Sequence, residues 1–269
     1  MSEPDAKTYE TRHGPMLALR GDRYITRSLE LYGEFSGQEG RLFEQIIKPG
    51  MCIVEVGSNI GAHTVPMARL CAPGPLYAFE PQQRVFQILC ANLALNDVRN
   101  VLAFPDAVGA EPGHVLVPAM DYGAPGNFGG VSVLPEGSDA RGVKTRVVTL
   151  DSLGLPTCHL IKVDVEGFES EVLRGAHDTI GRCRPLLYVE NDRAARQQEL
   201  ISLIDELAYH QYWHTPPLFD PANPKAAAEN AFPGVVSVNL FCIPKGTDSR
   251  VAGAEPLDPT NWVCPVKVS

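Results

Sequence analysis

The stretch "MCIVEVGSNIGAHTV", residues 51–65, decides how the chain is read. Apolar residues run from Cys52 to Val56 around a single acid, Glu55, and the run breaks at Gly57. A short apolar run closed by glycine reads as a buried strand, and the pattern resuming after Gly61 reads as a helix. A strand that turns into a helix presents free backbone N–H groups at the helix N-terminus, a place for a nucleotide-like ligand. The nearest template is Gly-x-Gly-x-x-Gly, but Asn59 stands at its second glycine and Ala62 at its third. A pyrophosphate is therefore poorly matched.

The alternation continues outward. Strand-like runs occupy 76–80, 101–106, 160–164 and 186–190, with helical spacing over 62–70, 84–95, 168–180 and 193–208. Two further strand-like runs follow at 211–215 and 235–243. This order predicts an α/β, Rossmann-like doubly wound fold: a mostly parallel seven-stranded sheet, an antiparallel last strand, and helices on both faces. Residues 1–49 read as an N-terminal helical extension, polar and frayed to about Thr11, with helical spacing over 22–48 that Pro49-Gly50 stops. Residues 50–245 form the main domain, and 246–269 a tail whose Trp262 is placed to pack on a neighbour. An excursion at 121–142 holds six glycines and two prolines; it is either a tolerated surface loop or a binding loop and lid. Residues 114–117 and 144–150 flank it as a candidate antiparallel ribbon.

At 269 residues with 44% hydrophobic content, the chain can bury a substantial core. Its net charge of −9 argues against a nucleic-acid partner. Seven cysteines without a C-x-x-C read as reduced thiols, and the N-terminal residues lack signal-peptide character. No run is long enough to span a membrane. The expectation is a cytoplasmic protein that acts on neither membranes nor nucleic acid.

Each of the first parallel strands ends in a carboxylate: Glu55, Glu80, Asp106, Asp164 and Glu190. In open parallel sheets the ligand crevice lies outside those ends. The acids suit S-adenosyl-L-methionine, which offers a ribose diol, an adenine amine, an ammonium and a sulfonium. Glu80 would accept from the ribose hydroxyls. Asp106 would accept from the adenine amine while the Ala107 N–H donates to the ring. Glu55 and the turn Gly57, Ser58, Asn59 and Gly61 would hold the amino-acid end.

These residues carry a resemblance. Glu55–Gly61 and "YAFEP" (77–81) are similar to the first two motifs of class I methyltransferases. Asn92 with Asn96, Phe128-Gly129-Gly130, "TLD" (149–151), "IKVDVEGFE" (161–169), Leu173 with Gly175, and Pro185 leading to Glu190 resemble the FkbM family in particular, over roughly residues 30–245. The resemblance implies methyl transfer from S-adenosylmethionine, usually to oxygen, on a small-molecule or glycan acceptor such as a sugar or secondary metabolite.

An alcohol needs a base or a metal to become a nucleophile. Asp164, Glu190 and Asn191 are a hard-oxygen set suited to Mg²⁺ or another divalent cation, similar to the Asp…Asp-Asn site of catechol-type O-methyltransferases. The match departs at Glu190, which stands for an Asp, and no lysine follows Asp164 within a turn. Without a metal, Asp164, Glu166 or Glu169 would act directly as base or grip substrate hydroxyls. Asp164, Glu166 and Glu190 are the catalytic candidates, and Asp164 also counts among the cofactor-binding acids. His63 reads as a packing residue; His214 is better placed to reach an acceptor, but it too reads as structural rather than catalytic.

Overall fold

The computed structural model describes residues 5–266. Residues 1–4 and 267–269, the outer ends of the expected frayed stretch and of the tail, lie outside it. From the N-terminus, β1 (Ala6–Thr11) and β2 (Gly14–Leu19) pair as an antiparallel hairpin. Helices α1 (Ile25–Tyr32) and α2 (Gly37–Ile46) follow. The alternation then begins: β3 (Ile53–Val56), α3 (Thr64–Cys71), β4 (Leu76–Phe79), α4 (Gln83–Leu95) and β5 (Val101–Phe104). An insertion holds β6 (Ala107–Val108), β7 (Gly113–Pro118), β8 (Leu134–Pro135) and β9 (Gly142–Val148). The main sheet resumes with β10 (Leu160–Val163), α5 (Glu169–Arg174), α6 (His177–Cys183), β11 (Leu186–Glu190), α7 (Gln197–Glu206), β12 (Tyr209–His214) and β13 (Asn239–Pro244).

The seven-stranded sheet has the order β12-β13-β11-β10-β3-β4-β5. Strands β5, β4, β3, β10 and β11 run parallel, and β13 is antiparallel to both of its neighbours. This is the doubly wound architecture expected. Side chains alternate along each strand, so the sheet separates two cores. Ile53, Leu76, Ala78 and Leu160 face α3, α4 and the hairpin. Val54, Val56, Ile161, Val163 and Val189 face α5, α6 and α7.

Several boundaries differ from the sequence reading, each for a local reason. The stretch expected to fray is β1, because α4 supplies it and β2 with a seat: the Asn92 side chain accepts from the Leu17 N–H (2.6 Å) and donates to Leu17 O (2.9 Å). Asn96 adds a bond to Pro15 O at 2.8 Å. The N-terminal region is therefore a hairpin plus two helices rather than helical throughout. Strand β5 stops at Phe104, since Pro105 cannot donate to a ladder. The helix expected over 168–180 breaks into α5 and α6 at Gly175, where an added Cβ would lie 2.0 Å from Gly109 O. The ribbon flanking the insertion forms as β7 against β9. Trp262 packs on Trp213 of its own chain, with ring centroids 5.9 Å apart, and donates to Gln198 Oε1 at 2.7 Å.

Candidate active site

Strand order reverses between β3 and β10, and two clefts open there at the carboxyl ends. The smaller is an open cleft with about 480 Å³ of empty space, part of it open to solvent, walled mainly by Val56, Val108, Val131, Val133 and Phe168, with Glu80 and Asp106 beside them. The larger has about 1130 Å³ of empty space, likewise open to solvent, and carries Tyr24, Phe35, Leu218 and Val235 around a floor of acids. Gly57, Glu80, Gly129, Asp164 and Glu166 border both, so the two form one site.

The opening turn is built by close backbone approach. Gly57 has φ +85, and a Cβ there would lie 1.8 Å from Asp164 O. Asn59 has φ +49, a left-handed conformation that asparagine tolerates better than most residues, which is why it can stand where the dinucleotide template has glycine. The N–H groups of the turn up to Gly61, ahead of the N-terminus of α3, are already used within the protein. Those of Gly57 and Ser58 donate to Phe79 O, and that of Gly61 to Ser58 O. The Asn59 N–H donates to Glu80 Oε2 and the Ile60 N–H to Asn59 Oδ1. The turn shapes the cleft but has no amide between residues 57 and 61 left for an anion.

Glu80 is buried, with one carboxylate oxygen accepting from the Asn59 N–H (3.0 Å) and the other from the Gln82 N–H (2.9 Å). Each oxygen keeps an acceptor position, which fits a vicinal diol. Burial pushes Glu80 up to about 7; the Gln82 and Asn59 amides oppose this, and Asp164 and Glu55 reinforce it. Asp106 and Ala107 line the apolar cleft as expected, but Asp106 is already clasped by Arg146 at 2.9 and 2.7 Å. That pair ties β9 to the site, leaving Asp106 only its remaining lone pairs for an adenine amine.

Glu55 is buried, accepting from the Thr64 hydroxyl at 2.6 Å. Opposite it across the β3–β10 ladder stands Lys162, whose other neighbour in register is Tyr188. Lys162 Nζ lies 3.1 Å from Asp164 Oδ2 and 3.8 Å from Glu55 Oε1. Burial disfavours its charge, but Asp164, Glu55 and Glu39 together hold its pKa above the ordinary lysine value. Glu39 of α2 completes the floor, accepting from Tyr188 OH (2.8 Å) and Asn239 Nδ2 (2.9 Å), with His63 Nε2 at 3.3 Å.

Sequence reading missed both Lys162 and Glu39. A lysine in the apolar run "LIKV" was the available signal, because a charge in a buried strand needs partners. Glu39 left none, since its partners lie far away in sequence. His63 packs between Phe35 and Phe43, at 5.5 and 5.4 Å between ring centroids, as a packing residue should. His214 does not line the cleft; its Nδ1 meets Tyr188 OH at 2.8 Å, and the ring borders a separate groove beside α2.

The expected metal set of Asp164, Glu190 and Asn191 is not the set that gathers. Extended backbone alternates, so Glu190 and Asp192 line the cleft while the buried Asn191 does not. Asp164 is engaged by Lys162. Among the described residues, carboxylate oxygens of Glu166, Glu190 and Asp192 come within 4.8 Å of one another. Glu166 is already paired with Arg193, so this trio is partly neutralised without an ion. Burial, then Asp164, pushes Glu166 up to about 7 against the pull of Arg193. Burial pushes Glu190 well above the usual carboxylate range, with Asp164 and Asp192 adding to it, and its Oε2 is buried without a hydrogen-bond partner. Glu166 has φ +57, a conformation that costs about 1–3 kcal/mol and tends to persist at functional sites. Glu169 accepts from the Gly167 N–H at 2.9 Å, the role of a first-turn acid.

Comparison with known proteins agrees with this geometry. "Methyltransferase 1" of Beauveria bassiana (strain ARSEF 2860) is 31% identical over 147 residues, 47% of this chain and 58% of that protein. The chain thus spans less than two thirds of that relative's length. The solved precorrin-6y C5,15-methyltransferase of Geobacter metallireducens GS-15 shares the fold with a TM-score of 0.50 at 10% identity, covering 77% of this chain and 87% of that one. A methyltransferase FkbM of Methylobacillus flagellatus KT gives a TM-score of 0.46 at 14% identity, over 76% of this chain and 50% of that one. The sequence model of the methyltransferase FkbM domain matches residues 55–212, more than half of the chain. With the motif turn, Glu80 and the 161–169 segment all inside that match, the chain belongs to the FkbM methyltransferase family.

Proposed function

We propose that the protein transfers a methyl group from S-adenosyl-L-methionine to a hydroxyl oxygen of a small-molecule or glycan acceptor, a sugar or secondary metabolite. The observation that carries this reading is the junction of the two clefts at Glu80, Asp164 and Glu166. The apolar slot suits a purine ring, Glu80 suits the ribose diol, and the acid-lined chamber suits the cationic end and an acceptor rich in donors. Tyr24, Phe35, Glu39, Leu218 and Asn239 line that chamber from outside the family match, where walls specific to an acceptor belong.

When bound, S-adenosylmethionine supplies an activated methyl group. The chain's part is to hold the acceptor in line and to receive its proton. Glu166, raised to about 7, is suited to that proton, since a carboxyl near neutrality matches a general base at cellular pH, and the unpartnered Glu190 Oε2 is suited to hydrogen-bond the acceptor hydroxyl. Asp164, held by Lys162, orients rather than accepts. A divalent cation is not needed for this assignment. The acid floor would repel a nucleic-acid phosphate backbone, which favours small acceptors.

The test is calorimetric titration with S-adenosylhomocysteine and with NAD, followed by incubation with methyl-labelled S-adenosylmethionine and a panel of hydroxyl- and amine-bearing acceptors. Binding of the homocysteine product alone, and label recovered on oxygen, are the expected results. Label only on nitrogen would overturn the oxygen assignment, and preference for NAD would overturn the donor.

A further inference from the structure

The floor of the larger cleft has a marked charge imbalance. Seven acidic side chains line it, those of Glu39, Glu55, Glu80, Asp164, Glu166, Glu190 and Asp192; even with Glu190 raised well above the usual carboxylate range and Glu166 paired with Arg193, the rest outnumber Lys162, the single Lys or Arg among the described lining residues. Such a floor attracts ammonium and sulfonium groups, and it repels any carboxylate brought in with them. The methionine tail carries all three groups. Its carboxylate therefore needs one strong donor, and the amides of the motif turn up to Gly61 do not supply it. From Gly57 to Gly61 every N–H is already bonded within the protein.

Lys162 meets the requirement. It rises from β10 next to Glu55 of β3, at the strand-order switch where the motif turn begins. It is 3% exposed yet borders the cleft. Of its three donors, one is used by Asp164 at 3.1 Å, while Glu55 Oε1, at 3.8 Å, is beyond hydrogen-bond length. A donor remains for an incoming anion, and the flanking acids keep the ammonium charged. Building on the donor proposed above, we infer that Lys162 Nζ receives the carboxylate of the methionine tail, while the surrounding acids receive its ammonium. Lys162 is then a cofactor-binding residue, and its pairing with Asp164 fixes where the tail ends.

Titrations of the wild type, Lys162→Met and Lys162→Arg with S-adenosylhomocysteine and its decarboxylated analogue test this by binding alone. A charge-assisted hydrogen bond predicts that Lys162→Met weakens S-adenosylhomocysteine about 10- to 100-fold and leaves the decarboxylated analogue unchanged or tighter. Lys162→Arg should recover part of the loss. Equal loss for both ligands would overturn the inference and leave Lys162 as a structural counter-ion. Should the variants fail to fold, the wild type decides: it should prefer the carboxylated ligand at least about tenfold, and equal or inverted preference overturns the inference. A wild type that binds neither ligand removes the S-adenosylmethionine reading itself, a different failure.

Discussion

The Tyr188 hydroxyl donates to Glu39 Oε1 over 2.8 Å, joining α2 to β11 across 149 residues of chain. Glu39 also receives Asn239 and faces His63 and Lys162, so one carboxylate holds the N-terminal helices, the fifth parallel strand and the last strand together. Removing one member of a buried charged cluster leaves the others unpaired, at a cost of about 3–5 kcal/mol. Glu39→Ala should lose about that much in urea unfolding at neutral pH. A loss below about 1 kcal/mol, as expected for surface pairs, would show that the network is not structural. The pH dependence has a definite sign. Burial raises the Glu39 pKa, but His63, then Lys162, outweigh it and hold the group at about 2, below its usual value of 4.5. Its stabilisation is therefore full above about 4.5 and is lost as pH falls through about 2, so wild type and Glu39→Gln should converge in stability toward pH 2.

Glu80 has the opposite sign. Its folded pKa of about 7 lies above the usual 4.5, so the folded protein binds the extra proton between those values and loses stability as pH rises through that window. A diol donating to Glu80 prefers the carboxylate. Affinity for S-adenosylhomocysteine should therefore increase from pH 5.5 to 7.5, with proton release visible as a buffer-dependent binding enthalpy. Glu80→Ala should lose about 1.5–3 kcal/mol of binding. A pH-independent affinity in wild type would separate Glu80 from the ribose.

What the sequence made legible follows from what is local. Strands 53–56, 160–163 and 186–190 were readable because both of their faces are buried, giving unbroken apolar runs, and their terminal acids then marked the cleft. The hairpin was hidden because its seat is the side chain of Asn92, 75 residues from Leu17. The spent amides of the motif turn were hidden because their acceptor, Phe79 O, belongs to the neighbouring strand. Asn191 was misplaced because chain order puts it beside Glu190, while the extended backbone turns it away from the cleft. Glu39 is legible only once α2 is docked.

Gly57 and Gly61 allow a controlled comparison. Both have positive φ, +85 and +87, so alanine at either costs about 1–2 kcal/mol in backbone conformation. A Cβ at Gly61 would meet Leu89 Cδ1 at 2.8 Å, the end of a flexible side chain, whereas at Gly57 it would meet the Asp164 carbonyl oxygen at 1.8 Å. Gly57→Ala must therefore part β3 from β10 and should cost about 4 kcal/mol or more, against roughly 2 for Gly61→Ala. Thermal unfolding of the two variants side by side checks this, and equal shifts would mean that the strand ends do not need their close contact.

The glycine-rich segment has an anchored half and an open half. Phe128 is 2% exposed, packing against Tyr122 with ring centroids 5.0 Å apart. Its N–H donates to Asp22 Oδ2 at 3.3 Å, and its carbonyl accepts from Gln82 Nε2 at 2.8 Å. Asp22 also accepts from the Thr26 N–H at 3.0 Å, at the start of α1, so Phe128 is locked to the N-terminal helices. Just beyond it, Gly129 and Gly130 border the larger cleft, and Ser132 Oγ donates to Glu166 O at 2.8 Å. Residues 136–142 are exposed. Hydrogen exchange without ligand should therefore be slow at 126–128 and fast at 136–142, and S-adenosylhomocysteine should slow 129–133 alone. Phe128→Ala removes the anchor. A buried phenylalanine contributes about 3–5 kcal/mol; Phe128 shares the buried cluster of Ile53, Leu76 and Leu160, but it enters that cluster from a loop, so the loss should fall on local opening of 121–133 more than on global unfolding. Exchange across 121–133 should quicken in this variant and ligand affinity should fall, while the urea midpoint moves less than a 3–5 kcal/mol loss requires. If instead the whole chain is destabilised by that amount with local exchange unchanged relative to global, the segment is part of the core and does not close the cleft as a lid.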